Sequence, residues 1–301
     1  MCCVVGFYLF RHIKPITAGV IMTKFWRKHI HCVVVVPHQG ECSMFTRAKV
    51  ALKTGHAPRR LYHFILAKIL YTIPSWVRKF IFSGKLYYCP VCGSHLRKFL
   101  ILHRPYHLWC PVCSSLQRHR LLWIFFTKTN IISQQYPKKL LHFAPERCLA
   151  QRFAGFPHLD YVSADISNPS AMVEMDITQI QFPDNAFDAI LCSHVLEHVS
   201  DDRRALRELY RVLKPEGQAI ILVPIIGEVT FENSDITDPL QREELFGQFD
   251  HVRVYGLDFE NRLKEAGFKT SIFSTEALVQ PDEVERMGLT EQEIFFVGQK
   301  A

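Results

Sequence analysis

Four cysteines carry the clearest chemistry in this chain. In "CPVCGSHLRKFLILHRPYHLWCPVC", Cys89 and Cys92 form one C-x2-C pair, and Cys110 and Cys113 form a second. Two such pairs bring four thiolates to the corners of a tetrahedron, the arrangement Zn²⁺ takes in closed structural sites. Four thiolates leave no open position for a catalytic water, so the expected ion is structural. Gly93 follows the first pair, where the turn favours a residue tolerant of positive φ. The alternative, two redox-active pairs, needs a helix head in a βαβ unit, and neither pair has one. His103 and His107, between the pairs, are read as spacer.

A second group lies in "HVLEH", where His194, Glu197 and His198 spell H-x-x-E-H, a zinc-protease motif in inverted order. That chemistry requires an amphipathic helix aiming both histidines at a metal, with a further ligand downstream. Here the pentapeptide directly follows a buried-strand pattern, so Glu197 and His198 are expected to cap and orient a helix beneath a site. Further on, His251, Arg253 and Tyr255 alternate in "FGQFDHVRVYG". That spacing suits a grip on an anionic or sugar ligand, and equally an ordinary exposed strand.

The elements that must position these groups alternate between strand and helix from residue 139 onward, which points to a mostly parallel sheet covered on both faces. "KLLHFAP" reads as a first strand, with its helix in "ERCLAQRFAG". "LDYVSADI" ends a second strand on Asp165, and "MDIT" carries Asp176 in a short third element. "FDAILCS" is a buried strand ending on Ser193, followed by a helix through "DDRRALRELYRVLK". "QAIILVP" is a further strand, "FENRLKEAG" a helix, and "FKTSIFS" and "EIFFVGQ" a closing antiparallel pair. Open α/β sheets place ligands at the carboxyl ends of their strands, where Asp165, Asp176, Ser193 and His194 all fall.

The run "DITQIQFPDNAFDAILCSHVLEHVSDDRRALRELYRVLKPEGQAIILVP" resembles the class I S-adenosylmethionine-dependent methyltransferases, in particular the type 11 group, and the likeness extends to "LKEAGF". The cysteine unit followed by "LQRHRLLWIFF" and "HFAPE" is also similar to bacterial zinc-ribbon methyltransferases tied to surface-polysaccharide synthesis. The resemblance implies an α/β, Rossmann-like sheet with a closing antiparallel hairpin, preceded by a small zinc-ribbon-like unit. It implies S-adenosyl-L-methionine as cofactor. Asp165 would accept from the ribose hydroxyls, Asp176 would face the adenine amino group with Ile177 beside the ring, and Ser193 and His194 would line the methyl-transfer side. One departure stands out. Where the family has an acidic, glycine-rich loop, this chain has His142, Phe143, Ala144, Pro145 and Glu146, with no glycine. S-adenosylmethionine has no pyrophosphate and needs fewer bare amides, and Pro145 suits a first helical turn whose free N–H groups can face a carboxylate. Phe143, Ala144 and Glu146 are therefore expected at the cofactor. For a hydroxyl acceptor, His194 is the first candidate base and His251 the second.

Charge divides the chain. Residues 1–145 hold 22 Lys and Arg against one acid, and residues 146–301 hold 14 against 28, so a half of net +21 precedes one of net −14. The organisation expected is a basic, poorly organised segment over 1–58, a basic amphipathic segment over 59–86, a four-cysteine zinc-ribbon-like unit over 87–120 and the methyltransferase domain over 121–301. Met22 and Met44 are read as alternative starts, and neither a secretory leader nor a spanning run is expected from the pattern. The basic half would meet an anionic membrane surface, nucleic acid, or the acidic half of its own chain. Three functions compete: a cytoplasmic methyltransferase, peripheral at the inner membrane face, acting on a sugar or lipid-linked glycan; an RNA methyltransferase in which Trp109 and Phe99 stack on bases; and a non-catalytic zinc-bearing module.

Overall fold

The computed structural model describes residues 70, 72–101, 108–132, 138–291 and 293–301. The segment 1–58, residues 59–69 and 71 of the expected amphipathic stretch, and His103 and His107 lie outside them. Among the described residues no helix is long and apolar enough to cross a membrane.

Helix α1 (Ser75–Phe82) starts directly after Pro74 and leads into β1 (Ser83–Cys89). Strand β1 pairs antiparallel with β2 (Ser94–Leu96), and β3 (Leu100–Ile101) pairs with β4 (Leu108–Trp109). Helix α2 (Gln117–Lys128) follows. Then come β5 (Lys138–Phe143), α3 (Arg147–Phe153), β6 (Leu159–Asp165), β7 (Val173–Glu174), β8 (Phe187–Ser193), α4 (Asp202–Val212) and β9 (Leu213–Leu222). The chain closes with β10 (Phe231–Glu232), α5 (Pro239–Phe246), β11 (Arg253–Val254), α6 (Phe259–Glu265), β12 (Lys269–Ser274), α7 (Thr275–Leu278), α8 (Pro281–Arg286) and β13 (Ile294–Gln299).

Seven strands form one sheet in the order β12-β13-β9-β8-β5-β6-β7. From β9 to β7 every pairing is parallel, while β13 pairs antiparallel with both β9 and β12. The α/β pattern and the antiparallel closure stand as the sequence implies, although α7 and α8 separate the last two strands in the chain. Strand residues alternate between two apolar layers because successive side chains point to opposite faces. Ala189 and Leu191 of β8 join one layer, Ile190 and Cys192 the other. A parallel sheet buried on both faces needs this apolar-throughout sequence, which "FDAILCS" supplies.

The first layer contains Phe125 and Phe126 of α2, Phe153 of α3, and also Cys89, Val91, Leu96 and Cys110. The cysteine unit thus shares its core with the sheet. The boundary expected between residues 120 and 121 falls inside α2, which runs unbroken from Gln117 to Lys128. Arg120, fully buried on that helix, ties the parts together by donating to the carbonyls of Ser115, Leu108 and Gly288.

Candidate functional site

Parallel register brings the strand ends to one edge. Phe143 pairs with Ala164 on one side and Cys192 on the other, and Ser193 pairs with Leu222. Two backbone bonds continue the alignment past the strands: Ala144 N to Ala164 O at 2.9 Å and His194 N to Leu222 O at 2.8 Å. The ends of β5, β6 and β8 therefore lie side by side, with Asp165 and Ser193 at their tips.

The glycine-free loop after β5 has its own solution. Ala144 takes φ +47°, the left-handed region usually left to glycine. Buried hydrogen bonds hold it there. His142 Nε2 meets Glu146 Oε2 at 2.8 Å, and His142 Nδ1 meets the Tyr161 hydroxyl at 3.0 Å. His119 of α2 sets Nε2 at 3.5 Å from Glu146 Oε1, while its Nδ1 accepts from Leu116 N at 3.2 Å. Burial pushes the Glu146 carboxyl up, but the His142 bond and the neighbouring His119 outweigh it and hold the group well below the carboxylate range. Burial, aided by Arg118, pushes His119 down to about 3, so this imidazole is neutral. Glu146 faces these rings, and Phe143 lies in the core, so what the loop presents at the edge is chiefly backbone. His119 and Tyr161 carry no signal in the sequence, and His142 stands there only as the first residue of the glycine-free loop. The one available signal was His142 and Glu146 four residues apart in "HFAPE".

Asp165 Oδ1 accepts from Ser167 N and Asn168 N, each at 2.8 Å, and its other oxygen makes no hydrogen bond among the described residues. Beside it, Ile166 and Met172 expose 63% and 65% of their surface. Asp176 is exposed and its Oδ1 is held by Thr178. The Ile177 side chain lies in the core, so the open apolar surface near the acids is that of Ile166 and Met172. Ser193 is buried with a hydroxyl that makes no hydrogen bond. An acid with a spare oxygen and open apolar side chains beside it fits a ribose and a flat base, and the orphaned Ser193 hydroxyl lies at the end of β8, two strands away along the same edge. By contrast, a cavity of about 320 Å³ at the opposite end of the strands is lined by Lys138, Asp188 and Gln218 and holds none of the site residues. There Lys138 meets Asp188 at 3.9 Å, and Asp188 also takes Lys214 at 2.8 Å.

"HVLEH" does not form the protease helix. His194 sits at φ +54° and Leu196–His198 is a short 3-10 turn. Glu197 and His198 do not cap α4 either, because Asp201 does so by accepting from Arg204 N at 2.9 Å. Glu197 is instead fully buried, with Oε1 at 3.0 Å from His194 Nδ1. Burial raises its pKa, yet the His194 bond and the nearby His198 and His251 bring it down to about 2, so it is ionised. An ionised acceptor sets the proton of His194 on Nδ1 and leaves Nε2 basic. His251 is brought to the same place, its ring edge-on to His198 with centroids 4.7 Å apart. Arg253 and Tyr255, read as gripping a ligand or as lying on an exposed strand, are instead buried and structural. Arg253 donates to the carbonyls of Leu196, Val199 and Ser200, and the Tyr255 hydroxyl donates to Asp202 at 2.7 Å.

The cysteines converge. The four sulfurs lie within 4.8 Å of one another, with Cys89–Cys113 at 3.7 Å and Cys92–Cys110 at 3.8 Å. Tetrahedral ligands at about 2.3 Å from Zn²⁺ lie about 3.8 Å apart, so the set fits that ion. The two turns match: Gly93 N bonds Cys89 O and Ser114 N bonds Cys110 O, with φ +66° and +70°. Ser115 Oγ lies 3.3 Å from Cys89 Sγ and 3.2 Å from Cys113 Sγ. Phe99 and Trp109 are buried, Phe99 beneath the Arg120 guanidinium, so neither is open to stack on a base.

Residues 149–221 match the family model described as a methyltransferase domain. A ubiquinone/menaquinone biosynthesis C-methyltransferase, UbiE, of Enterobacter sp. is 46% identical over 50 residues, covering 17% of this chain and 20% of that protein. The corresponding protein of Pseudoalteromonas translucida is 44% identical over 50 residues, with the same coverage. The chain thus spans about one fifth of the length of these curated relatives. Among solved structures, YcgJ of Bacillus subtilis shares 15% identity at a TM-score of 0.41, covering 60% of this chain and 98% of that one. A phosphoethanolamine N-methyltransferase 2 of Haemonchus contortus shares 17% at 0.42, covering 60% and 53%. The Rossmann-like sheet order and the match over 149–221 agree with each other: the fold is a mostly parallel α/β sheet, and within it residues 149–221 are similar to the methyltransferase-domain family.

Proposed function

We propose that the protein is an S-adenosylmethionine-dependent methyltransferase acting on a hydroxyl of a sugar or lipid-linked glycan. The observation that carries the cofactor is the strand-end edge, which holds Asp165 with one oxygen unbonded, the left-handed Ala144 and, at the end of β8, the orphaned Ser193 hydroxyl. Bound there, the cofactor would supply an electrophilic methyl group. The chain would supply position: Asp165 for the ribose diol, the loop backbone for the amino-acid tail, Ile166 and Met172 for the base. His194, held by Glu197 through Nδ1, would take the acceptor proton on Nε2. That dyad is what favours a hydroxyl acceptor.

Two partners complete the proposal. The four-cysteine cluster would hold one structural Zn²⁺. On α1, Trp76 and Phe80 are exposed at 73% and 82%, beside Lys79 and Lys85, which supports contact with an anionic membrane surface. Vesicles containing phosphatidylglycerol should sediment the protein, and Trp76→Ala with Phe80→Ala should reduce the bound fraction severalfold; equal binding by the double variant would refute this face.

Calorimetric titration of S-adenosylhomocysteine into wild type and Asp165→Ala tests the enzyme reading. We expect micromolar-range binding, weakened at least tenfold in the variant. No heat in the wild type, with a native circular dichroism spectrum, would leave only a zinc-bearing module.

A further inference from the structure

Glu197, His198 and His251 each bring a donor atom within 4.8 Å of the other two. They come from distant parts of the chain, the turn after β8 and the segment after α5. Both parts are clamped. Val252 N donates to Glu197 O at 2.9 Å, and Arg253 next to it holds the carbonyls of Leu196, Val199 and Ser200. The cluster is therefore a product of the fold and not of two loops meeting at the surface.

The orientation of each donor matters more than proximity. A histidine that binds a metal ordinarily gives its other ring N–H to a carbonyl or carboxylate, which fixes the ring and the tautomer. His251 Nδ1 lies 3.1 Å from the Phe246 carbonyl, which makes it the donor and leaves Nε2 with a lone pair. His198 Nδ1 lies 3.5 Å from Asp250 Oδ2. Glu197 divides its oxygens: Oε1 receives His194, whereas Oε2 is fully buried and makes no hydrogen bond. A buried carboxylate oxygen without a partner carries a substantial desolvation cost, which a bound cation would offset.

We propose that Glu197, His198 and His251 form a divalent-cation site separate from the cysteine cluster. Two imidazoles and one carboxylate suit first-row ions such as Mn²⁺ or Zn²⁺, whereas Ca²⁺ and Mg²⁺ prefer oxygen throughout. Three protein donors leave coordination positions open, unlike the saturated set of four thiolates. Cation binding stands on its own; its role in catalysis rests on the methyltransferase reading. In that role Glu197, His198 and His251 would hold an ion that could polarise the acceptor hydroxyl. The hydroxyl proton passes to His194 Nε2, the oxygen forms a bond to the methyl carbon, and the carbon–sulfur bond breaks with its electron pair left on sulfur. His194 then remains the proton acceptor, and His251 serves as a ligand and not as a second base.

Mn²⁺ tests the site without competing for the thiolates. Full-length protein with its cysteine site loaded with zinc is titrated with Mn²⁺, and the free ion is followed by electron paramagnetic resonance. One Mn²⁺ should bind per chain, at least tenfold more weakly in His251→Ala and in Glu197→Gln, with near-ultraviolet circular dichroism confirming that each variant is folded. Mn²⁺ remaining free beside wild type, or bound equally by folded variants, overturns the site. If S-adenosylhomocysteine binds and Mn²⁺ does not, the cation site falls and the methyltransferase proposal stands. If Mn²⁺ binds through these residues and S-adenosylhomocysteine does not, the site stands and its role in methyl transfer falls.

Discussion

Ala144 shows how a residue other than glycine can hold a left-handed turn. Its left-handed φ costs alanine about 1 kcal/mol relative to glycine, and the Tyr161–His142–Glu146–His119 chain supplies the opposing interactions. This arrangement has a pH consequence. The folded pKa of His119 is depressed, so its contribution to stability is complete above the unfolded value of about 6.5 and is lost progressively as pH falls toward about 3. Glu146 is also depressed, but from the carboxylate range, so its loss begins at lower pH. Between about pH 6.5 and 5 the His119 term falls ahead of the carboxylates, together with that of His251, whose pKa burial also lowers, and its slope is at most about 1.4 kcal/mol per pH unit. Urea unfolding of His119→Asn should show lower stability at neutral pH and a flatter dependence in that window. An unchanged slope would mean that His119 titrates normally.

At the level of elements, the decisive joint is between the "HVLEH" turn, α4 and the strand pair β10–β11. Asp202 in the first turn of α4 meets Arg262 at 2.6 Å, and Glu232 meets Arg253 and Arg262 at 2.9 Å each. Asp202, Arg253 and Arg262 are buried, and removing one member of such a network leaves uncompensated charge. Arg253→Ala should cost about 3–5 kcal/mol by chemical denaturation. Because Arg253 also holds three carbonyls of the turn, a variant rescued at low temperature should weaken Mn²⁺ binding while Asp165 stays in place. A loss below about 1 kcal/mol would show that the network is solvated and dispensable.

For the whole molecule, the cysteine unit and the sheet behave as one core. Arg152 of α3 donates to the Val91 carbonyl inside the first C-x2-C turn, and Arg120 reaches the Gly288 carbonyl after α8. Removing the zinc proposed for the cysteine unit should therefore destabilise the sheet with it. Cys110→Ser should remove one zinc per chain by mass spectrometry and lower the melting temperature of a single calorimetric transition by several degrees. Two separate transitions, with the later one unmoved, would show that the units fold independently.

Much of this was determined by the sequence alone. The strand in "FDAILCS", the acid ending β6 and the paired C-x2-C turns are set by local rules: apolar runs demand burial, and tight turns demand particular φ. What only tertiary structure decided are relations between distant residues. Local alternation cannot reveal that Arg253 and Tyr255 face inward, because the partners that make burial of their polar groups tolerable, Glu232 and Asp202, lie 21 and 53 positions away. Nor can spacing show that His251 joins Glu197 and His198, since a cluster built by a crossover has no period. Charge and hydrogen-bond partners are chosen in three dimensions, and that choice turned a literal H-x-x-E-H from a helix motif into a buried carboxylate facing three histidines.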